Sequence, residues 1–266
     1  MKFGIYLHPQ RPKVPVEQVL KKLQRAGVSY SPKEPDVAVV VGGDGTFGYY
    51  GRTLDVPLLF VGVHEHGVLG SRAKLAEVMF DKLEGALRDV EEGRFALAKR
   101  RMIRVGLNEK STDVLTDVYV ERGVFSGCMR YTVFVNENEK SAFTEHAIGN
   151  GVIFSTAFGS QGYYSYPNRL AGSLQKGAQV REDQIGICHV LPTLLVREKG
   201  DKRRTSRNLR YAVPFQSRIQ VSLFRDTDTR LYGTTAHSRG VAVKLGDTIA
   251  ITGSDRVARI IKMNNR

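Results

Sequence analysis

The sequence predicts an α/β amino-terminal domain with an open, mostly parallel sheet, plus a β-rich carboxyl-terminal domain. Apolar runs alternate with amphipathic helical stretches up to about residue 95, and short β-rich runs between turn residues follow. The composition, 41% hydrophobic and 25% charged, is that of an ordinary globular chain. A length of 266 residues suits one large or two modest domains. We place the domains at 1–95 and 96–266, with the last strand free to return to the first domain.

Hydrophobic spacing predicts each element of the first domain. Lys2 to His8 predicts a strand, and apolar residues from Val16 to Leu23 recur on one helical face that Gly27 ends. The run 36–41 is apolar after Asp36, and the run 57–63 is apolar throughout, which is typical of central parallel strands covered on both faces. Residues 75–90 have helical spacing and predict a helix.

The second domain should be mostly strand. Its predicted strands are 102–107, 114–120, 131–135, 151–155, 185–191, 218–224 and 248–252. The run 197–210 holds seven Lys or Arg against two acids. This run predicts a solvated loop or an edge that contacts another subunit.

Charge and composition narrow the class of partner. A net charge of +13 attracts nucleic acid, acidic lipid or phosphorylated metabolites. Nucleic acid is disfavoured because zinc-finger spacing, aromatic ribonucleoprotein motifs and a continuous basic helix are all missing from the sequence. Cys128 and Cys188 indicate neither a disulfide framework nor a thiolate zinc site. The apolar runs are far shorter than the ~20 residues that span a bilayer, and a strand begins at once, so we expect a cytoplasmic protein without membrane attachment.

The most informative stretch is the end of the run 36–41, which continues into three glycines around one acid. Glycine tolerates φ > 0 and lets a ligand approach the main chain, and a helix N-terminus favours phosphate. A hairpin turn is the alternative, because Asp-Gly is common in such turns. The continuous apolar run before it favours a phosphate loop instead, although neither a Walker motif nor a dinucleotide fingerprint is present. The expected phosphate-binding residues are Gly42, Gly43, Gly45 and Thr46, with Asp44 holding a metal, a hydroxyl or both.

Two blocks of the sequence resemble the NAD kinase family. Gly42 to Phe47, followed by Arg52, resembles a signature whose core is shared with diacylglycerol and sphingosine kinases. The second block, Gly149 to Tyr163, resembles the NAD kinase stretch GDG....STPTGSTAY and separates NAD kinases from the lipid kinases. Weaker similarities at 62–70, 187–195 and 244–249 extend the resemblance over nearly the whole chain.

The resemblance implies an enzyme that transfers phosphate to the 2′-hydroxyl of the adenosine ribose of NAD. The donor would be ATP or polyphosphate with a divalent cation, Mg²⁺ by expectation, and the chain would form a homo-oligomer, a dimer or tetramer. Asp44 would be the general base or would orient the hydroxyl. The implied NAD-binding residues are Thr116, Asp117, Asn150, Ser155, Thr156, Gly159, Ser160, Tyr163 and His237.

Three departures from the family pattern leave rivals open. Thr116 replaces an amide, Asn150 replaces an aspartate, and Ala236 precedes His237 where the family has an acid. One rival is a lipid kinase with the same glycine loop, and the other is a catalytically silent NAD(P)-binding protein. His64 and His66 lack a third ligand at metal spacing, so we expect no metal site built by the protein. The sequence leaves donor preference, NADH acceptance and oligomer size open.

Overall fold

The computed structural model describes residues 1–64, 73–124, 127–137, 140–169, 179–225, 228–235 and 239–264. The protein is a sheet-rich, two-domain α/β structure. Its contacts divide the chain into two compact units, residues 1–100 together with the chain from Val257 onward, and residues 101–256. Within the described ranges, no helix has the length and apolar character needed to cross a membrane.

Parallel strands and α-helices alternate in the first unit. They are β1 (Lys2–Leu7), α1 (Val16–Ala26), β2 (Ser29–Tyr30), β3 (Val37–Gly42), α2 (Asp44–Thr53), β4 (Leu58–Gly62), β5 (Val78–Met79) and α3 (Leu83–Glu91). The strand order is β2-β1-β3-β4-β5, and every pairing is parallel. The carboxyl ends of β1, β3 and β4 therefore lie side by side at one edge of the sheet.

Both faces of this sheet are covered, as the continuous apolar runs predicted. All six residues of β3 are buried. On one face Val39 packs in a cluster with Leu23 of α1 and Leu87 of α3. On the opposite face α2 places Phe47 against Phe60 of β4, with the rings stacked 4.4 Å apart. This packing fixes α2, and with it the loop that precedes it.

The helix predicted over 75–90 is wrong in its first half. Residues 78–79 form β5 and Phe80–Lys82 form a 3-10 turn, so the α-helix begins only at Leu83. Val78 pairs with Val61 of β4, and the Glu77 N–H donates to Phe60 O at 2.9 Å. Pairing with β4 therefore overrides the helical spacing of this segment.

From residue 95 onward the chain consists mainly of strands, as predicted, and these strands pair mainly in the antiparallel direction. They are β6 (Phe95–Leu107), β7 (Lys110–Val114), β8 (Asp117–Arg122), β9 (Met129–Glu137), β10 (Lys140–Gly149), β11 (Gly151–Ser155), β12 (Gln184–Val190), β13 (Leu194–Lys199), β14 (Lys202–Thr205), β15 (Arg210–Pro214), β16 (Arg218–Leu223), β17 (Thr229–Tyr232), β18 (Val241–Val243) and β19 (Thr248–Met263). Strands 14-13-10-9-16-19 form one layer and 15-12-11-8-17-18 another. Apolar residues of both layers share one core.

A charged network is buried in the second unit. Glu145 of β10 and His189 of β12 are both 0% exposed, and Glu145 Oε2 lies 2.7 Å from His189 Nε2. Arg197 of β13 donates two hydrogen bonds to Glu145 Oε1, at 3.0 and 2.8 Å. The Tyr131 hydroxyl forms a hydrogen bond with His189 Nδ1. The Tyr211 hydroxyl donates one to Glu145 Oε2. Because every charge has a partner, this network meets the condition under which buried charges are tolerated.

Candidate functional site

The glycine loop lies between β3 and α2, at the edge where the parallel strands end. Gly43 is the N-terminal cap of α2, with φ −101° and ψ 177°. Its carbonyl accepts hydrogen bonds from the N–H groups of Thr46, at 2.9 Å, and Phe47, at 3.2 Å. Ligands of open α/β sheets bind at this edge, beyond the carboxyl ends of the strands. The loop is therefore placed where the sequence predicted.

Close approach, and not positive φ, accounts for the first glycine. Gly42, Gly43 and Gly45 are not among the residues with positive φ, so the loop does not use the left-handed conformation that glycine tolerates. A Cβ at Gly42 would lie 2.7 Å from Thr46 Oγ1, which no side chain tolerates without movement. A Cβ at Gly45 would meet nothing within 4 Å. The space beside Gly42 is thus filled by Thr46 of α2, whereas the space beside Gly45 is open.

Asp44 is the first residue of α2 and is partly exposed. Its carboxylate accepts hydrogen bonds from the backbone N–H groups of Lys74, at 3.2 Å to Oδ2, and Leu75, at 3.0 Å to Oδ1. A carboxylate offers about four acceptor positions, so these two bonds fix the orientation of the group and leave acceptor capacity for a ligand. Asp44 therefore lies at the loop in a polar setting, not in packed hydrocarbon.

Sequence reasoning missed a cation beside this loop. A Cβ at Gly43 would lie 3.8 Å from Lys13 Nζ, so the Lys13 ammonium lies against the loop. Lys13 belongs to the segment after β1, and β1 pairs directly with β3. The sequence alone does not show this proximity, because it depends on the pairing of β1 with β3.

Arg52, the last matched residue of the first block, does not lie at the loop. It is in the last turn of α2, about 12 Å along the helix axis from Asp44 at 1.5 Å per residue. Its guanidinium packs over the Tyr49 ring at 4.9 Å, and burial lowers its pKa. Arg52 therefore anchors the far end of α2.

In the second unit, the Thr156 side chain forms hydrogen bonds between two segments, 115–117 and 155–163, whose residues the sequence predicted to bind NAD. Its hydroxyl donates towards Leu115 O and Thr116 O, at 2.6 and 3.0 Å, and accepts from the Gly159 N–H at 3.0 Å. A Cβ at Gly159 would lie 2.2 Å from Thr116 O, so this position needs glycine. Thr156 is buried, so its side chain stabilises the backbone around the predicted site.

The remaining predicted residues of this end lie around that junction. Ser155 is 0% exposed and donates to Thr156 O at 3.1 Å, whereas Ser160 is half-buried and donates to Ala157 O at 2.7 Å. Asp117 pairs with Ser155 across β8 and β11. The structure therefore brings Thr116, Asp117, Ser155, Thr156, Gly159 and Ser160 together.

Asn150 and Tyr163 belong to the opposite end of β11. Asn150 precedes the strand, about 17 Å from Ser155 at 3.3 Å per residue. Its N–H donates to Val190 O at 2.9 Å. The Tyr163 hydroxyl donates to Glu121 Oε1 at 2.6 Å, and Glu121 pairs with Gly151, next to Asn150. The predicted residues thus spread along one strand, as an extended ligand would require.

Glu121 is a second residue that sequence reasoning missed. Burial raises the pKa of Glu121, and burial together with the hydrogen bond to Glu121 raises the pKa of Tyr163. The Tyr119 ring meets the Tyr163 ring edge-on, with centroids 5.3 Å apart. The only sequence signal was an acid directly after the predicted strand 114–120.

Some of the sequence predictions concern residues that the structure does not describe. His237, Ala236 and His66 lie outside the described residues, as does most of the similarity at 62–70. Among the described residues, no group of three or more His, Cys, Asp or Glu side chains could hold a metal ion. The expectation of no metal site built by the protein stays a prediction.

Comparison with known proteins decides the family. The NAD kinase of Magnetococcus marinus is 30% identical over 242 residues, which cover 87% of this chain and 70% of that protein. The chain belongs to the NAD kinase family. The NAD kinase of Clostridium kluyveri is 28% identical over 237 residues, covering 86% of this chain and 74% of the relative. No protein-family model matches the chain.

Solved NAD kinase structures share the fold. Yeast NADH kinase complexed with NADH has a TM-score of 0.67 at 15% identity, covering 99% of this chain and 84% of that one. An NAD kinase from Archaeoglobus fulgidus in complex with ATP has a TM-score of 0.63 at 18% identity, covering 100% and 94%. These similarities extend the family assignment from sequence to architecture.

Proposed function

We propose that this chain is an NAD kinase that phosphorylates the 2′-hydroxyl of the adenosine ribose of NAD to give NADP. Membership of the NAD kinase family supports the reaction class. The observation that carries the proposal is the position of Asp44. Asp44 is the first residue of α2 and lies beside the glycine loop and the Lys13 ammonium. Its carboxylate accepts hydrogen bonds from the backbone N–H groups of Lys74 and Leu75.

Each group at the loop has a part in phosphoryl transfer. The 2′-oxygen forms a bond to the terminal phosphorus while the bond from that phosphorus to the bridging oxygen breaks, and the hydroxyl proton passes towards Asp44. The N–H groups of the first helical turn have no partner within the helix and favour phosphate. Gly42, Gly43, Gly45 and Thr46 then shape the cradle, and Lys13 neutralises phosphate charge. Alignment and charge neutralisation are what this reaction mainly asks of a protein.

We propose Mg-ATP as the donor, with polyphosphate as the alternative. The metal would arrive as part of this substrate, since Mg²⁺ keeps several waters and binds through one or two carboxylates plus substrate phosphates. Asp44 is the carboxylate of the loop that can contribute. The ATP complex of the Archaeoglobus fulgidus NAD kinase is consistent with this donor.

The dinucleotide would lie along β11. Thr116, Asp117, Ser155, Thr156, Gly159 and Ser160 would form one end of its site, and Asn150 and Tyr163 the other, with His237 kept from the sequence. We further propose that 1–95 acts as the donor domain and 96–266 as the dinucleotide domain, and that the enzyme is a cytoplasmic homo-oligomer. Light scattering of the purified chain measures the oligomeric state.

Asp44→Asn tests the proposal, with NADP formation from NAD and Mg-ATP as the measurement. We expect turnover to fall at least ~10²-fold, the lower range for a positioned base. The affinities for NAD and ATP, measured by calorimetry, should stay within a few-fold because the amide keeps the size and shape of the side chain. Asp81→Asn, at an exposed aspartate of the same unit, is the matched control.

Each rival has its own outcome. Undiminished turnover in Asp44→Asn would reject the assigned role. Wild-type protein that binds NAD and NADP without turnover would be the silent nucleotide-binding protein that the changes at Thr116 and Asn150 allow. Phosphorylation of a lipid but not of NAD would identify the lipid kinase.

A further inference from the structure

The hairpin of β13 and β14 has charges arranged differently on its two faces. Side chains directly opposite each other in an antiparallel pair share a face. On one face Glu198 is opposite Arg203, and the two form an ion pair at 3.1 Å. On the other face Arg197 is opposite Arg204.

The next pair on that second face repeats the like charge. Lys199 is opposite Lys202, so two pairs of cations follow each other along the hairpin. Pairs on one face are two residues apart, about 7 Å along the strand. Like charges directly opposite each other destabilise a sheet. The arrangement therefore opposes folding unless an anion compensates it.

These cations line a cavity of about 550 Å³, a volume in the range of small-molecule sites. Its lining consists of Arg197, Lys199, Asp201, Lys202 and Arg204. Among the described residues of this lining, one acid therefore faces four cations. Among the described side chains, the charged groups of Lys199, Lys202 and Arg204 have no hydrogen-bonded or ion-paired partner.

The base of the cavity is rigid. Two of the five N–H donors of Arg197 are used by Glu145, which is 0% exposed. The same guanidinium packs over the rings of Phe143 and Tyr211, at 4.3 and 4.5 Å. Arg197 is thus held by its stem and two donors, and its remaining donors are pre-oriented for an anion.

We propose that this face of the hairpin binds a compact oligophosphate, a chain of three or more phosphate groups that is free or part of a nucleotide. A single phosphate reaches one pair of cations, whereas a triphosphate reaches both. The rings at the base carry Arg197 over them, and the lining that the structure describes contains no aromatic residue on which a nucleic-acid base could stack. The site shares no residue with the glycine loop, and the proposal does not depend on the kinase reaction.

The test is calorimetric titration of the full chain with inorganic tripolyphosphate. Lys199→Gln/Lys202→Gln/Arg204→Gln removes three charges and leaves Arg197 with Glu145. The control Lys21→Gln/Lys33→Gln/Lys110→Gln removes three exposed lysines elsewhere, so both variants change the net charge from +13 to +10 (13 − 3). Circular dichroism checks that both remain folded.

We expect the wild type to bind one more tripolyphosphate per chain than the hairpin variant, or to bind it about tenfold more tightly. The control should match the wild type. Equal losses in both variants would assign the binding to net charge and overturn the proposal, as would orthophosphate binding as tightly as tripolyphosphate. Tighter binding of a single-stranded RNA through the same three residues would also overturn it.

Two further measurements identify the source and separate the proposals. Stronger binding of ATP than of tripolyphosphate at the hairpin indicates a nucleotide, and the reverse indicates free polyphosphate. NAD phosphorylation by the hairpin variant should stay within twofold of the wild type. Failure of the hairpin site leaves that turnover intact, whereas failure of the kinase proposal leaves the titration intact.

Discussion

At the scale of single residues, the candidate site depends on side chains whose orientation the main chain sets. Asp44 is held by two N–H groups from residues 74 and 75, far from it in sequence. Thr156 does the reverse, since its buried hydroxyl holds the backbone of residues 115–116 and 159. The first residue can act on a ligand, and the second keeps the surrounding chain in place.

Lys13→Gln tests the cation beside the loop. We expect the KM for Mg-ATP to rise roughly fivefold to thirtyfold, the cost of removing a charge-assisted hydrogen bond of about 1–2 kcal/mol. The KM for NAD and the thermal midpoint should change little. Steady-state kinetics with each substrate varied in turn make the measurement, with Lys21→Gln on the exposed side of α1 as control. An equal rise in both KM values would contradict a role at the donor phosphates.

Much of the site could be predicted from residue types alone. Asp44, Thr46 and the flanking glycines follow a buried apolar run, and strand ends of that kind meet at one edge of a parallel sheet. Lys13 and Glu121 carry no such signal. Their relevance arises from strand pairing, β1 with β3 and β8 with β11, which the linear sequence does not display.

At the scale of elements, predictions that depend on local sequence are confirmed, whereas one that ignores pairing with a distant strand is wrong. The helix α1 follows from its own spacing and ends at Gly27, whose φ is 73°, as a left-handed cap requires. The segment 75–82 has helical spacing as well, yet residues 78–79 pair with the end of β4 at Val61 and Gly62 and form a strand. Local patterns predict elements that their own packing stabilises, and fail where a distant partner competes.

The turn from β3 into α2 offers a pair of substitutions with opposite expectations. Gly42→Ala places a methyl group 2.7 Å from Thr46 Oγ1, and we expect a loss of about 1–3 kcal/mol in unfolding free energy together with lost turnover. Gly45→Ala meets no protein atom within 4 Å, so stability should hold or rise by up to ~1 kcal/mol.

The KM for Mg-ATP tests the role of Gly45 in the Gly45→Ala variant. If phosphates approach the main chain at Gly45, the added methyl group should raise the KM for Mg-ATP at least about tenfold, for a loss of ~1.4 kcal/mol in binding, although the protein is no less stable. Denaturant unfolding and steady-state kinetics on the two variants check both expectations. Normal kinetics in a stable Gly45→Ala protein would show that donor phosphates do not approach this residue.

At the scale of the whole molecule, the net charge of +13 suits an enzyme whose proposed substrates are anions. A positive field raises the local concentration of NAD and ATP and weakens as salt increases. The field does not by itself place either substrate, because the proposed specific contacts are confined to the glycine loop and to β11. The cations of β13 and β14 lie outside both.

Global stability should respond to pH through the buried Glu145 network. Tyr131 has one hydroxyl proton, and Gly151 O, 2.6 Å away, can only accept it. The Tyr131 oxygen must therefore accept a hydrogen bond from the Nδ1–H of His189. The other ring nitrogen of His189, Nε2, contacts Glu145 Oε2. Burial alone would raise the pKa of Glu145, but the hydrogen bonds of His189 and Tyr211 and the charges of His189 and Arg197 outweigh it and lower the pKa.

The sign of the pH effect follows from that lowered pKa. A carboxyl group whose pKa is lower in the folded state contributes stability that is fully present above its unfolded value, about 4.3, and is lost as pH falls through the folded value. Glu145→Gln removes this contribution. We expect it to cost about 3–5 kcal/mol at pH 7, because His189 and Arg197 lose a buried partner, and the difference from the wild type should shrink between pH 5 and the folded pKa.

Urea unfolding followed by circular dichroism at pH 7, 5, 4 and 3 measures this difference, since the chain has no tryptophan. Glu198→Gln is the control, because Glu198 and its ion-pair partners, His146 of β10 and Arg203 of β14, are all at least partly exposed. It should cost less than ~1 kcal/mol. A constant difference between wild type and Glu145→Gln down to pH 3 would mean that folding leaves the pKa of Glu145 unchanged, and would contradict this prediction.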